Sequence, residues 1–148
     1  LILAISVGSL ISTQAYNWAE ESTPGWNVEA GYQWAGSGIF GQGVHLDLQK
    51  FALQAEELTK ISVLYSLTFP RRLSFPVFLG AAFGPGYFLK QQENESHFAF
   101  DYKAYLGLRL NQVHSQYFVQ SGVKNHVNVL SDGQFIGWFV SSGVAYTF

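Results

Sequence analysis

Four histidines, His45, His97, His114 and His126, together with a scatter of carboxylates are the residues able to move protons or hold a metal. The histidines show no metal-ligand spacing, and with no cysteine in the chain neither a disulfide nor a Cys-based metal site can form. Gly41-Gln42-Gly43 and Gly84-Pro85-Gly86 lie within strand-like patterns, so they read as bulges or curvature points and not as phosphate loops. What remains is a mixed set of charges: Glu29, Asp47 and Asp101 against Lys60, Lys103, Arg109 and Lys124, with His45 and His126 among them. The chemistry available to such a set is mutual pairing, because a charge left alone in a dry interior costs several kcal/mol. No cofactor is called for.

The elements that carry these charges alternate with a period of two. In the stretch FAFDYKAYLGLRL, Phe98, Phe100, Tyr102, Ala104, Leu106, Leu108 and Leu110 oppose Asp101, Lys103, Tyr105, Gly107 and Arg109. Trp26, Val28, Ala30, Tyr32 and Trp34 oppose Asn27, Glu29, Gly31 and Gln33 in the same way. Seven such segments follow one another from Gly25 to the chain end, separated by short polar turns. Strict alternation over these lengths is the mark of strands with two different faces, whereas a helix would scatter Asp101, Lys103 and Arg109 through its apolar stripe.

Composition decides which face is inside. Charged residues make up 12% of the 148, and aromatics 17%, against a usual charged share of about 25%. The polar face is mostly Gly, Ala, Ser and Gln, small enough to fill a narrow barrel, whereas a water-facing exterior would be richer in Lys and Glu. The apolar face is large and gathers aromatics near strand ends, as a lipid-facing barrel does. The expected fold is therefore all-β: a closed, antiparallel, up-and-down transmembrane β-barrel, with eight strands as the nearest even number. A net charge of -2 argues against a nucleic-acid partner. The soluble alternative, a lipocalin-like barrel with its greasy side turned inward on a ligand, is disfavoured because the apolar side chains are too large to leave a cavity.

The chain ends on SSGVAYTF. Ser141-x-Gly143-x-x-Tyr146-x-Phe148 resembles the C-terminal β-signal of small bacterial outer-membrane β-barrels. That resemblance implies recognition by the barrel-assembly machinery, residence in the bacterial outer membrane among its lipids and lipopolysaccharide, and a periplasmic C-terminus. The 131–133, 91–96 and 54–57 turns would then face outward from the cell, with 111–112, 70–73 and 36–38 on the periplasmic side.

The tail from Gly122 onward also loosely resembles the lipid A 3-O-deacylase barrels, which carry a His-x-Ser motif on a late strand. Here the sequence is His126-Val127-Asn128. An amide cannot attack an ester as a His-activated hydroxyl can, and the last strand offers no carboxylate to orient His126. A non-catalytic barrel in envelope structure or surface interaction is the expected function.

Two boundaries follow. Leu1 to Ile11 is an apolar run of signal-peptide length, and Thr13-Gln14-Ala15 resembles a cleavage site, although no positive residue precedes the run. Residues 1–15 are thus expected to be a leader and 16–148 the barrel. The eighth strand is expected around 15–21, where Tyr16, Trp18 and Glu20 alternate weakly, unless an uncleaved Leu1 to Ile11 supplies it.

Overall fold

A computed structural model describes residues 2–15, 22–34, 38–53, 56–71, 74–91, 93–131 and 134–148. Eight strands follow in chain order: β1 (Ile2–Ala15), β2 (Ser22–Trp34), β3 (Gly41–Leu53), β4 (Glu56–Phe69), β5 (Val77–Lys90), β6 (Phe98–Asn111), β7 (Ser115–Asn128) and β8 (Gln134–Thr147). Each pairs antiparallel with its sequence neighbour, and β1 closes the cylinder on β8. Both termini lie at one end, with Ile2 opposite Thr147. At 13 or 14 residues, the strands exceed the roughly 9–11 that a tilted membrane strand requires, so their ends reach beyond the hydrocarbon.

The eighth strand lies at the start of the sequence. The apolar run expected to be a leader is β1, paired with β2 from Ile2 to Leu10 and with β8 along its length. The expected location, 15–21, falls almost wholly outside the described residues, and the strand described is the one named as its alternative, in the uncleaved run. The physical reason is visible in the run itself: Leu3, Ile5 and Val7 face out, while small Ala4, Ser6 and Gly8 face in. Alternation of large with small, not of apolar with polar, keeps the period of two.

The two glycine pairs are not bulges. Register runs unbroken through Gly41–Gly43 against β4 and through Gly84–Gly86 against β6. The irregularities fall instead at Leu10/Ser12, Thr23/Trp26 and Thr59/Lys60, all toward the end opposite the termini, where bulges at a barrel rim are common. Gly84 has a different use. A Cβ there would lie 2.0 Å from the Val63 carbonyl oxygen, so only glycine permits this close approach of β5 to β4.

Parity holds around the barrel. Lys60, Ser62, Leu64 and Ser66 on β4 are buried while Val63 is exposed; Asp101, Lys103, Tyr105 and Arg109 on β6 are buried while Phe100, Tyr102, Leu106 and Leu108 are exposed. Inward rings lie over glycines of the adjacent strand: Tyr105 over Gly80, Phe78 over Gly107, Phe118 over Gly143. A Cβ added at Gly80 would come within 2.2 Å of the Tyr105 ring. Gly80→Val is therefore expected to cost about 1–3 kcal/mol by overpacking, read from heat or urea unfolding in micelles. The outward Ala81→Val, one residue along, should cost far less.

Candidate functional site

The exterior is a continuous apolar belt. Leu46, Val63, Leu106 and Val140 occupy its middle; Phe69, Tyr117, Tyr146 and Phe148 ring it at the termini, and Trp26, Tyr87, Phe98 and Trp138 at the other end. Patches of this extent do not face water on a monomeric soluble protein, and two aromatic girdles about an aliphatic band suit the two interfaces of a bilayer.

Inside, the nine residues singled out from the sequence all project from inward positions, and the strand register brings most of them together. Lys60 on β4 and Asp101 on β6 meet across Gly86 and Gly84 of β5, with Lys60 Nζ 2.7 Å from Asp101 Oδ1. Each is only 1% exposed. The Ser62 hydroxyl donates to the other carboxylate oxygen, and His126 Nδ1 lies 3.2 Å from Lys60 Nζ. Lys124 on β7 reaches across the lumen to pair with Asp47 on β3, whose second oxygen accepts from Asn27 Nδ2 at 3.0 Å. Lys103 Nζ stands 2.5 Å from Glu29 Oε2, and His45 Nδ1 lies 2.7 Å from Oε1 of the same carboxylate. Three buried ammonium groups thus meet three buried carboxylates one to one. These crossings tie strands that are not neighbours.

Arg109 departs from the expected pairing. Its Nε donates to the Phe75 carbonyl and one terminal nitrogen to the Pro70 carbonyl, both at 2.8 Å, and its guanidinium lies 5.1 Å from the Phe78 ring centre. It pins the β4–β5 connection instead of joining a carboxylate.

Sequence reading missed the apolar part of the interior. Phe51, Leu58 and Phe88 bury themselves toward the end opposite the termini, and Phe78 and the half-buried Phe118 join the expected Tyr105 toward the termini. Their rings abut the ionic groups: Lys60 Nζ sits 5.6 Å from the Phe88 centroid, and His126 packs against Phe88 and Phe51. These rings were legible by parity alone, since Phe51 follows Gln49 by two residues, Phe78 precedes Gly80 and Phe88 follows Gly86. The interior is thus a charged middle between greasy ends.

The group around Ser62 contains a hydroxyl, a carboxylate, an ammonium and an imidazole. All four are buried to within 1% and covered by Phe51 and Phe88. His126 faces Lys60, and Asn128 donates instead to Glu95 Oε2 at 2.8 Å, a carboxylate that also accepts from the Ser131 hydroxyl at 2.5 Å. No three acidic, histidine or cysteine residues cluster to hold a metal among the described residues. The other sequence-flagged residues lie on β8 or just past its end: Ser141 points inward, Gly143 lies against Phe118, and the Tyr146 and Phe148 rings meet edge-on outside with centroids 5.0 Å apart.

Fold and exterior together define a small eight-stranded transmembrane β-barrel. Among solved structures it is similar to the Yersinia pestis outer membrane protein Ail in a phospholipid bilayer nanodisc, with a TM-score of 0.57 and 17% identity over 99% of both chains. It is likewise similar to the crystal structure of Ail, the attachment invasion locus protein of Yersinia pestis, with a TM-score of 0.56 and 16% identity over 97% of each chain. At these identities the likeness concerns the fold. No protein-family model matches the chain, and no curated protein matches it in sequence.

Proposed function

We propose that the chain is a non-catalytic barrel of the bacterial outer membrane that serves envelope structure or surface interaction and conducts nothing. What supports this reading is the apolar belt together with the ion pairs and rings that cross the interior. Ser62 and His126 are each only 1% exposed, and Asn128 supplies no nucleophile. Likeness to Ail, the attachment invasion locus protein, favours surface interaction over a purely structural role.

In this reading the end carrying the termini is periplasmic, the Ser141 to Phe148 strand is what the barrel-assembly machinery recognises, and phospholipid and lipopolysaccharide surround the belt. The connections that meet the outside are short, so any partner is met by the rim, where Glu95 ties the β5–β6 and β7–β8 connections together.

Two measurements test the proposal. On density-gradient fractionation of expressing cells the chain should travel with outer-membrane porins. In planar bilayers the refolded protein should give no unitary conductance steps. Stable steps in the wild-type protein would contradict the filled interior, and recovery in the soluble fraction would contradict the location.

A further inference from the structure

The ionic interior balances with one exception. Lys60, Lys103 and Lys124 each have a carboxylate, and among the described residues no carboxylate lies within ion-pair distance of Arg109, which is 5% exposed. The surplus positive charge borders a pocket of about 60 Å³ inside the termini end of the barrel, whose polar lining includes Gln33, His45, Thr68, Tyr105, Arg109 and Gln120. That lining contains no acidic side chain. Arg109 spends Nε and one terminal nitrogen on the Phe75 and Pro70 carbonyls, which leaves its other terminal nitrogen without a hydrogen bond to the described residues. Gln120 is a second such donor: 6% exposed, it engages no described residue through its amide.

We propose that this pocket is a binding site for a small monovalent anion of chloride size, held by the free Arg109 N–H groups and the Gln120 amide. Two principles select the ligand. A buried guanidinium without a counter-charge is stabilised by any anion that reaches it, and hydrogen bonds to charged groups are the stronger kind. At about 60 Å³ the space is small, and it suits a small anion accompanied by a few waters. The site would make the termini end of the barrel halide-sensitive while the central ion pairs stay indifferent to salt.

Chloride NMR linewidths, measured on the refolded protein in micelles as sodium chloride is titrated in, test the site. Excess broadening that saturates is expected for the wild type and for Lys50→Gln, which removes an exterior cation paired to Glu57. Arg109→Gln and Gln120→Leu should each bind about tenfold more weakly or worse, the loss expected for one hydrogen bond to a charged group. Gln120→Leu leaves the arginine and its loop contacts in place, so it decides the matter if Arg109→Gln does not refold. Absence of saturable broadening in the wild type would overturn the proposal, as would broadening that Gln120→Leu leaves unchanged or Lys50→Gln abolishes.

Discussion

Lys124→Met is expected to destabilise the barrel by about 3–5 kcal/mol, because it leaves the Asp47 carboxylate charged and without its cation at a site with no exposure to water. The Asn27 amide still donates to Asp47, but one neutral hydrogen bond does not replace an ammonium. Asp47→Asn should cost a similar amount by stranding Lys124. The double variant, with Asn and Met replacing the pair, is expected to recover most of the loss, since neutral groups of similar volume avoid the desolvation of both ions. Unfolding free energies from urea titration in micelles give all three values. Single variants that each cost less than about 1 kcal/mol, the range of exposed pairs, would mean that water reaches the lumen.

The second large effect lies on the opposite face. Leu106 sits near the middle of β6, 54% exposed, between Leu79 and Ser121 on the neighbouring strands. Arginine at this depth should cost about 2–4 kcal/mol in lipid, falling toward 0–1 at the interfaces. Leu110→Arg, four residues nearer the termini rim, is therefore the internal control and should be tolerated. Arginine at Gly107 fails for another reason: a Cβ there already meets the Phe78 ring at 2.2 Å. Refolding yields and urea midpoints in lipid bilayers separate these cases. Equal folding of Leu106→Arg and wild type would show that the face assignment is inverted.

The barrel was legible wherever the two faces differ in chemistry. On β6, Asp101, Lys103 and Arg109 alternate with Phe100, Tyr102 and Leu108, so one strand displays both the period and the inside. On β1 the inward residues are Ala4, Ser6 and Gly8, whose smallness does the work that polarity does elsewhere, and the run reads as uniformly apolar. The inward rings Phe51, Phe78 and Phe88 obey the same parity, but they stand near strand ends where both faces carry aromatics, so residue type alone does not mark them as inward. Which lysine meets which carboxylate depends on barrel closure, since Lys124 and Asp47 lie on β7 and β3, far apart in sequence and not paired as strands. Arg109 took backbone carbonyls of a connection as partners, and side-chain patterning carries no signal for those.

With no native cysteine in the chain, a single nitroxide can be placed on each face of β6 in turn. Labels at Tyr102, Leu106 and Leu108, in protein reconstituted into lipid, should collide with dissolved oxygen and be shielded from a water-soluble nickel chelate. A label at the inward Ala99 should be shielded from both. Nickel access at Leu106, or oxygen access that fails to alternate along the strand, would contradict a cylinder that turns its hydrocarbon side chains to the bilayer and its ion pairs to its own axis.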